Sequence, residues 1–224
     1  MKPSKIFEVY EDSKRKLYTL NLAPGKKVYQ ENLVRENGKE FREWNPRRSK
    51  LCAAIQKGCQ NIFIRQGHSV LYLGSSTGTT VSHVSDIVGK EGIIFAVDFA
   101  PRVMRELVFL SEERKNIAPI LADANRPDFI APRVCAVDIL YQDIAQRNQV
   151  DIFLKNIKSF LKEDGYALLA LKARSIDVTK RPRDIFTEVH RVLEQSLTIV
   201  DVRTLEPFEM DHAFFICKQK KKSF

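Results

Sequence analysis

Val70-Leu71-Tyr72-Leu73-Gly74-Ser75-Ser76-Thr77-Gly78-Thr79-Thr80 is the stretch that decides the fold. Four apolar residues make a run too short for a helix, and it ends at Gly74, where the backbone can take angles closed to other residues. The small and hydroxyl-bearing residues that follow suit a helix N-terminus. The spacing predicts a buried strand, a glycine turn and the start of a helix, an arrangement that commonly holds a nucleotide-like cofactor. Dinucleotide enzymes and methyltransferases both use such a turn, so the stretch alone does not choose between them.

Downstream, Val81, Val84, Ile87 and Val88 continue the helix, and Gly89 to Gly92 end it in a turn. A second strand is expected over 93–98, a helix over 101–113, a third strand over 118–121 leading to Asp123, and a fourth over 134–141 leading to Asp143. Val150, Phe153, Leu154, Ile157, Phe160 and Leu161 form one apolar helical stripe. Gly165 turns the chain into a fifth strand over 166–172, a helix follows over 183–194, and strands at 197–202 and 213–217 close the pattern. This alternation predicts an α/β fold with a parallel sheet covered on both faces.

Upstream the pattern changes to short strands at 6–10, 16–20, 31–35 and 40–44. Ala23-Pro24-Gly25-Lys26 separates two of them, and Asn37-Gly38 is a strong hairpin signal. Residues 1–48 are therefore expected to form a small antiparallel β subdomain, too small to count on independent stability. A helix reaching about Cys59, with Leu51, Ala54, Ile55 and Gly58 at helical spacing, joins it to a main domain over 49–219. Residues 220–224 read as a basic tail.

Composition narrows the class. With 224 residues, 44% of them hydrophobic, the chain can bury a real core. No apolar run approaches the roughly 20 residues needed to span a bilayer, and Met1-Lys2-Pro3-Ser4-Lys5 leads into charged alternation, so a soluble intracellular protein without a membrane partner is expected. Cys52, Cys59, Cys135 and Cys217 stand without a Cys-x-x-Cys pair or a nearby histidine at ligand spacing, and neither a metal site nor a disulfide framework is expected. The formal charge of +9 suits a polyanionic partner, although a solvated basic face would give the same number.

In an open α/β sheet, ligands bind beyond the carboxyl ends of the strands. Those ends carry the Gly74 to Gly78 turn, Asp98, Asp123-Ala124, Asp143-Ile144-Ala145-Gln146 and Lys172. Asp98 could bond the two hydroxyls of a ribose or cap the helix before Pro101, and Asp123 could serve a ligand or cap the turn at Asn125-Arg126-Pro127. Lys172 ends an almost wholly apolar strand, where an ammonium either reaches solvent or meets a carboxylate in a cleft. Asp143, on the neighbouring strand, is its expected partner. His212 opens the last strand and could face the same rim, whereas His68, His83 and His190 have no such context.

At these residues a resemblance becomes visible. The run from Val70 to Gly89 resembles fibrillarin, the family of guide-RNA-directed RNA 2′-O-methyltransferases. Val97-Asp98-Phe99, Asp123-Ala124, Asp143-Ile144-Ala145-Gln146 and Ile176-Asp177 resemble the same family in order and spacing. So do Leu205-Glu206-Pro207-Phe208 with Asp211-His212-Ala213, and Trp44-Asn45-Pro46 with Ser49-Lys50-Leu51. Ser75-Ser76-Thr77 departs from the alanines and serine usual in the family, and Asp98 stands where glutamate is common; size or charge is kept in both. With only 9 glycines the chain lacks the glycine-arginine-rich extension of nucleolar members. The archaeal, cytoplasmic form is thus the closer likeness.

The resemblance implies a class I, Rossmann-like fold using S-adenosylmethionine, held by Gly74, Thr79, Thr80, Asp98, Phe99, Asp123, Ala124, Asp143, Ile144, Ala145 and Gln146. It implies a catalytic tetrad of Lys50, Asp143, Lys172 and His212, with Lys172 either stabilising the developing alkoxide or accepting its proton. It also implies methylation of rRNA, with tRNA as a further acceptor. No RNA-reading module of the chain's own is recognisable. Target choice would then be delegated to a box C/D guide RNA, a Nop-domain scaffold protein and a kink-turn-binding ribosomal-type protein.

Overall fold

The computed structural model describes residues 1–220, so the expected basic tail lies, beyond Lys220, outside the described residues. The chain opens with β1 (Lys2–Pro3), β2 (Val9–Glu11), β3 (Leu17–Leu20), β4 (Leu33–Glu36) and β5 (Lys39–Trp44). They form an antiparallel sheet in the order β1-β2-β3-β5-β4, with β4 and β5 joined at the expected hairpin, where Asn37 and Gly38 both have positive φ. Two strands begin later than the apolar pattern suggests. Ile6 lies in a turn before β2, and Glu31 is spent accepting the Val28 and Tyr29 N–H groups ahead of β4.

Helix α1 (Lys50–Gln56) starts at an N-cap made by Ser49, whose Oγ accepts the Cys52 N–H, and it stops before Gly58, which turns the chain with φ +91°. Alternation then begins with β6 (Ser69–Leu73), α2 (Thr79–Val88), β7 (Ile93–Asp98), α3 (Pro101–Glu113) and β8 (Ile117–Leu121). It continues through the short α4 (Pro127–Ile130), β9 (Val137–Gln142), α5 (Gln149–Phe160) and β10 (Leu161–Lys172). A four-residue α6 (Ala173–Ile176), α7 (Pro182–Glu194), β11 (Leu197–Thr204) and β12 (His212–Gln219) complete the fold.

The large sheet has the order β11-β12-β10-β9-β6-β7-β8. Strands β8, β7, β6, β9 and β10 are parallel, and β12 runs antiparallel to β10. Side-chain alternation along each strand builds two cores. Leu168, Ala170 and Tyr72 join one with Trp44, Leu51 and Val81, while Leu71, Leu169 and Leu171 join the other with Ile152, Phe153 and Ile185. The small sheet thus packs on the same core as α1 and α2. Leu161, which completes the apolar stripe of α5 in sequence, already pairs with Val137 of β9, and the ladder resumes only at Tyr166 opposite Ile139.

The seam between the sheets is ionic. Arg42 of β5 reaches Glu31 at 2.6 Å and Asp86 of α2 at 2.9 Å, and Arg114 reaches the other Asp86 oxygen at 2.6 Å. Asp86 also accepts from the Thr19 hydroxyl and the Leu22 N–H. All four charged side chains are buried, and two cations meet two anions. Burial raises the Glu31 carboxyl, but Arg42 and the Tyr29 and Val28 N–H groups outweigh it and hold it low.

His83, a residue without context in the sequence, is buried in this seam and stacks on Trp44 with centroids 4.9 Å apart. Thr19 gives its one hydroxyl proton to Asp86, so His83 Nδ1–H donates to Thr19 at 2.8 Å and Nε2 meets the Tyr29 hydroxyl at 2.6 Å. Burial, and then the charges of Arg42 and Arg114, push this imidazole well below its usual range and keep it neutral.

Candidate active site

Strand β6 is the point at which chain order reverses, with β7 and β8 on one side and β9 and β10 on the other. A crevice is expected beyond the carboxyl ends at such a point. A cleft of about 330 Å³ lies there, lined by Gly74 and Ser76 of the turn, Val97, Asp98 and Phe99 from β7, Ala122 and Ala124 after β8, and Asp143, Ile144, Ala145 and Gln146 after β9. Gly74 has φ +82°, and a Cβ there would fall on the Asp143 carbonyl oxygen. The turn and the loop after β9 therefore touch backbone to backbone.

Asp98 does not cap α3, whose N-cap is Ala100 with no side-chain bond; it closes the turn ahead of that helix and keeps capacity for more. One carboxylate oxygen accepts the Ala100 N–H at 3.0 Å, and the other accepts the Ser76 N–H at 2.9 Å. A carboxylate has about four lone-pair positions, which leaves room for two hydroxyl donors. Phe99 beside it is 67% exposed, a flat apolar face at the mouth of the cleft.

Three of the sequence-predicted cofactor residues stand outside the cleft lining. Thr79 is the first residue of α2. Thr80 is buried, and its hydroxyl donates to Ser49 Oγ at 3.0 Å, tying the start of α2 to the cap of α1. Asp123 accepts the Asn125 N–H at 2.8 Å and shapes the loop that carries Ala124. Ser76, Val97 and Ala122 line the cleft and were not singled out from sequence; each is adjacent to, or two residues from, a residue that was.

On the other side of Asp143 the geometry departs from expectation. Asp143 pairs with Lys50 at 2.8 Å, not with Lys172, and the two side chains are about one-fifth exposed. The Ser49 cap and its bond to Thr80 carry Lys50 to this position. Register explains why Lys172 is elsewhere. Leu169 of β10 pairs with Gln142, so Asp143 stands level with Ala170, and Lys172 lies two residues further along, about 7 Å at strand rise. Lys172 is exposed, and among the described residues no carboxylate comes within 4 Å of its ammonium.

Lys172 and His212 are direct partners across β10 and β12, so their side chains share one face of the sheet. This is the face of Leu168, Ala170 and α1, the side from which Lys50 reaches Asp143. His212 is buried, and its Nδ1–H donates to the Met210 carbonyl at 2.6 Å, which leaves Nε2 as an acceptor. Burial lowers its imidazole; the Met210 bond works against this, and Lys50 reinforces it. The structure thus brings Lys50 to Asp143 and Lys172 to His212 at one rim.

Counting β6 as the first strand of the large sheet, the order is 3-2-1-4-5-7-6 with the seventh strand reversed. With its cleft at the ends of the first four strands, this is a class I methyltransferase fold. The fibrillarin family model matches residues 1–221, and the chain belongs to the fibrillarin family. It is 51% identical to the fibrillarin-like rRNA/tRNA 2′-O-methyltransferase of Thermococcus onnurineus over 209 residues, 93% of this chain and 92% of that one. It is similar to the crystal structure of Aeropyrum pernix fibrillarin in complex with natively bound S-adenosyl-L-methionine, at 46% identity and TM-score 0.85 over 93% of this chain and 92% of that one. A fibrillarin/Nop5p complex matches at 40% identity and TM-score 0.87, over 96% and 99%.

Proposed function

We propose that this chain is the catalytic subunit of an RNA 2′-O-methyltransferase directed by guide RNA, which moves a methyl group from S-adenosylmethionine to ribose 2′-hydroxyls of rRNA and tRNA. The observation that carries the proposal is the double position of Asp143. It lines the cleft beyond β6 and also holds Lys50 on the side facing Lys172 and His212. One carboxylate therefore divides a pocket for the methyl donor from a cationic rim for a polyanionic acceptor.

The residues present fit that donor. Asp98 retains lone pairs for the two ribose hydroxyls of a nucleoside, Phe99 offers a face for its base, and Gly74 with residues 143–146 forms the wall. When bound, S-adenosylmethionine supplies a methyl group on a positively charged sulfur. Thr80 and Asp123 act from behind the wall, by fixing the start of α2 and the Ala124 loop.

At the rim the chain must hold a 2′-hydroxyl in line and meet the charge that grows on its oxygen as its proton leaves. Lys172 carries that task, either as an ammonium facing the oxygen while the proton passes to solvent at the exposed rim or as an amine that takes the proton at Nζ; Lys50 holds a neighbouring phosphate or ribose oxygen, and neutral His212 accepts a ribose hydroxyl at Nε2. Holding reactants in line supplies much of the barrier reduction. General acid–base assistance adds roughly 10² to 10⁴ in rate.

The relatives support a scaffold protein of the Nop5p kind as the partner, and we assign target choice to a box C/D guide RNA with a kink-turn-binding ribosomal-type protein. Methyl transfer into guide-matched RNA, by the chain alone and with scaffold and guide, tests this. Transfer to one ribose in the complete particle only, lost when that ribose is 2′-deoxy, is the expected result. Site-specific transfer by the isolated chain, or a methyl group on a base, refutes it.

A further inference from the structure

Beneath the rim, and unused in the mechanism above, lies Gln149, the first residue of α5. It is fully buried, and every polar atom of its side chain is bonded. Nε2 donates to the Lys172 carbonyl at 3.1 Å and to the Gln146 carbonyl at 3.0 Å. Oε1 accepts the Lys172 N–H at 3.2 Å. One primary amide thus grips both main-chain groups of Lys172 and, with its second proton, the last residue of the loop that walls the cleft.

The grip is itself braced. Gln142, the last residue of β9, is fully buried, and its Nε2 donates to the Gln149 carbonyl at 2.7 Å. The Gln149 N–H donates to the Gln146 carbonyl at 3.2 Å. Parallel strands β9 and β10 stop pairing at Gln142 and Leu169, so no β9 ladder bond reaches Lys172. On that side Gln149 replaces the missing strand. An amide side chain suits this place because it presents one acceptor and two donors to a carbonyl, a carbonyl and an N–H.

We propose that Gln149 is a positioning residue for methyl transfer, coupling the loop at Gln146 to the main chain of Lys172. It touches neither donor nor acceptor and acts by fixing where the lysine stem leaves the strand. The inference rests on Lys172 being the acceptor-side lysine. A misplacement of about 1 Å is enough to cost about a hundredfold in rate.

The experiment uses the complete particle under single-turnover conditions, with cofactor affinity measured in parallel, for the wild type, Gln149→Ala, Lys172→Ala and the double variant. Gln149→Ala is expected to lower the rate about a hundredfold while the cofactor Kd moves less than about threefold. In the Lys172→Ala background the same change should cost less than about threefold, because its route of action is already gone. Wild-type rate in Gln149→Ala, a loss carried by cofactor Kd, or a full loss on top of Lys172→Ala overturns the inference. Wild-type rate in Lys172→Ala overturns the reading of Lys172 itself, a different result.

Gln149→Glu covers the cases in which the alanine variant does not fold or the lysine variant is too slow to read. As a carboxylate it loses both donors; protonated, it regains one. Its rate relative to wild type should rise severalfold between about pH 8 and about pH 6, because burial brings a carboxyl into that range. A ratio that stays flat overturns the inference.

Discussion

Asp86 and Asp143 are both aspartates met by basic side chains from distant parts of the chain, and the structure leaves them in opposite conditions. Asp86 accepts from Arg42, Arg114, the Thr19 hydroxyl and the Leu22 N–H, and the side chains around it are closed to solvent. Asp143 accepts from one side chain, Lys50, and both remain partly exposed at the wall of a cleft. A carboxylate whose lone pairs are all taken joins two sheets and can do nothing else. One with lone pairs to spare, at a rim that also carries an exposed lysine and a neutral histidine, can take part in chemistry.

The comparison breaks first at Asp86. Breaking a buried ion pair leaves an uncompensated charge and costs about 3 to 5 kcal/mol. Asp86→Ala should lose that much stability in urea unfolding, and a loss below about 1 kcal/mol would mean that the seam is ordinary surface pairing. Asp98→Ala should cost about 1 kcal/mol of stability, because the Ser76 and Ala100 N–H groups lose their acceptor, and should weaken S-adenosylmethionine binding about 10- to 100-fold, read by calorimetry, since hydrogen bonds to a charged group contribute about 1.5 to 3 kcal/mol. Lys50→Met should cost less than about 1 kcal/mol of stability, as a part-exposed pair does, while slowing methyl transfer.

Acid should separate the two regions further. His83 is held neutral in the fold and has an ordinary imidazole when unfolded, so below about pH 6.5 the unfolded chain binds the extra proton. Stability from this group is complete above that value and falls as pH drops, by at most about 1.4 kcal/mol per pH unit. Urea unfolding at a series of pH values checks this, and His83→Gln should flatten the slope. An unchanged slope would remove His83 from the seam's titration.

Much of the cleft beyond β6 was legible in sequence because strand, turn and strand-end acid are local features. Gly74, Asp98 and residues 143–146 come together wherever consecutive parallel strands lie side by side. The rim that carries Lys50, Lys172 and His212 was not legible in the same way. Lys50 depends on a hydroxyl contact between Ser49 and Thr80, 31 residues apart, and only family resemblance pointed to it. Asp143 was matched to Lys172 because they end neighbouring strands, but the register puts two residues of rise between them. His83, Arg42 and Arg114 come together only when the small sheet closes over α2, and Gln149 bonds two main-chain carbonyls and an N–H that no side-chain pattern reveals.

Lys172→Ala in the reconstituted particle, with methyl transfer to the target ribose and S-adenosylmethionine affinity measured together, tests the division between donor cleft and acceptor rim most directly. A rate lower by about 10² to 10⁴ with unchanged cofactor affinity and unfolding midpoint is the expected result. Normal turnover, or a loss carried by cofactor affinity, would contradict it.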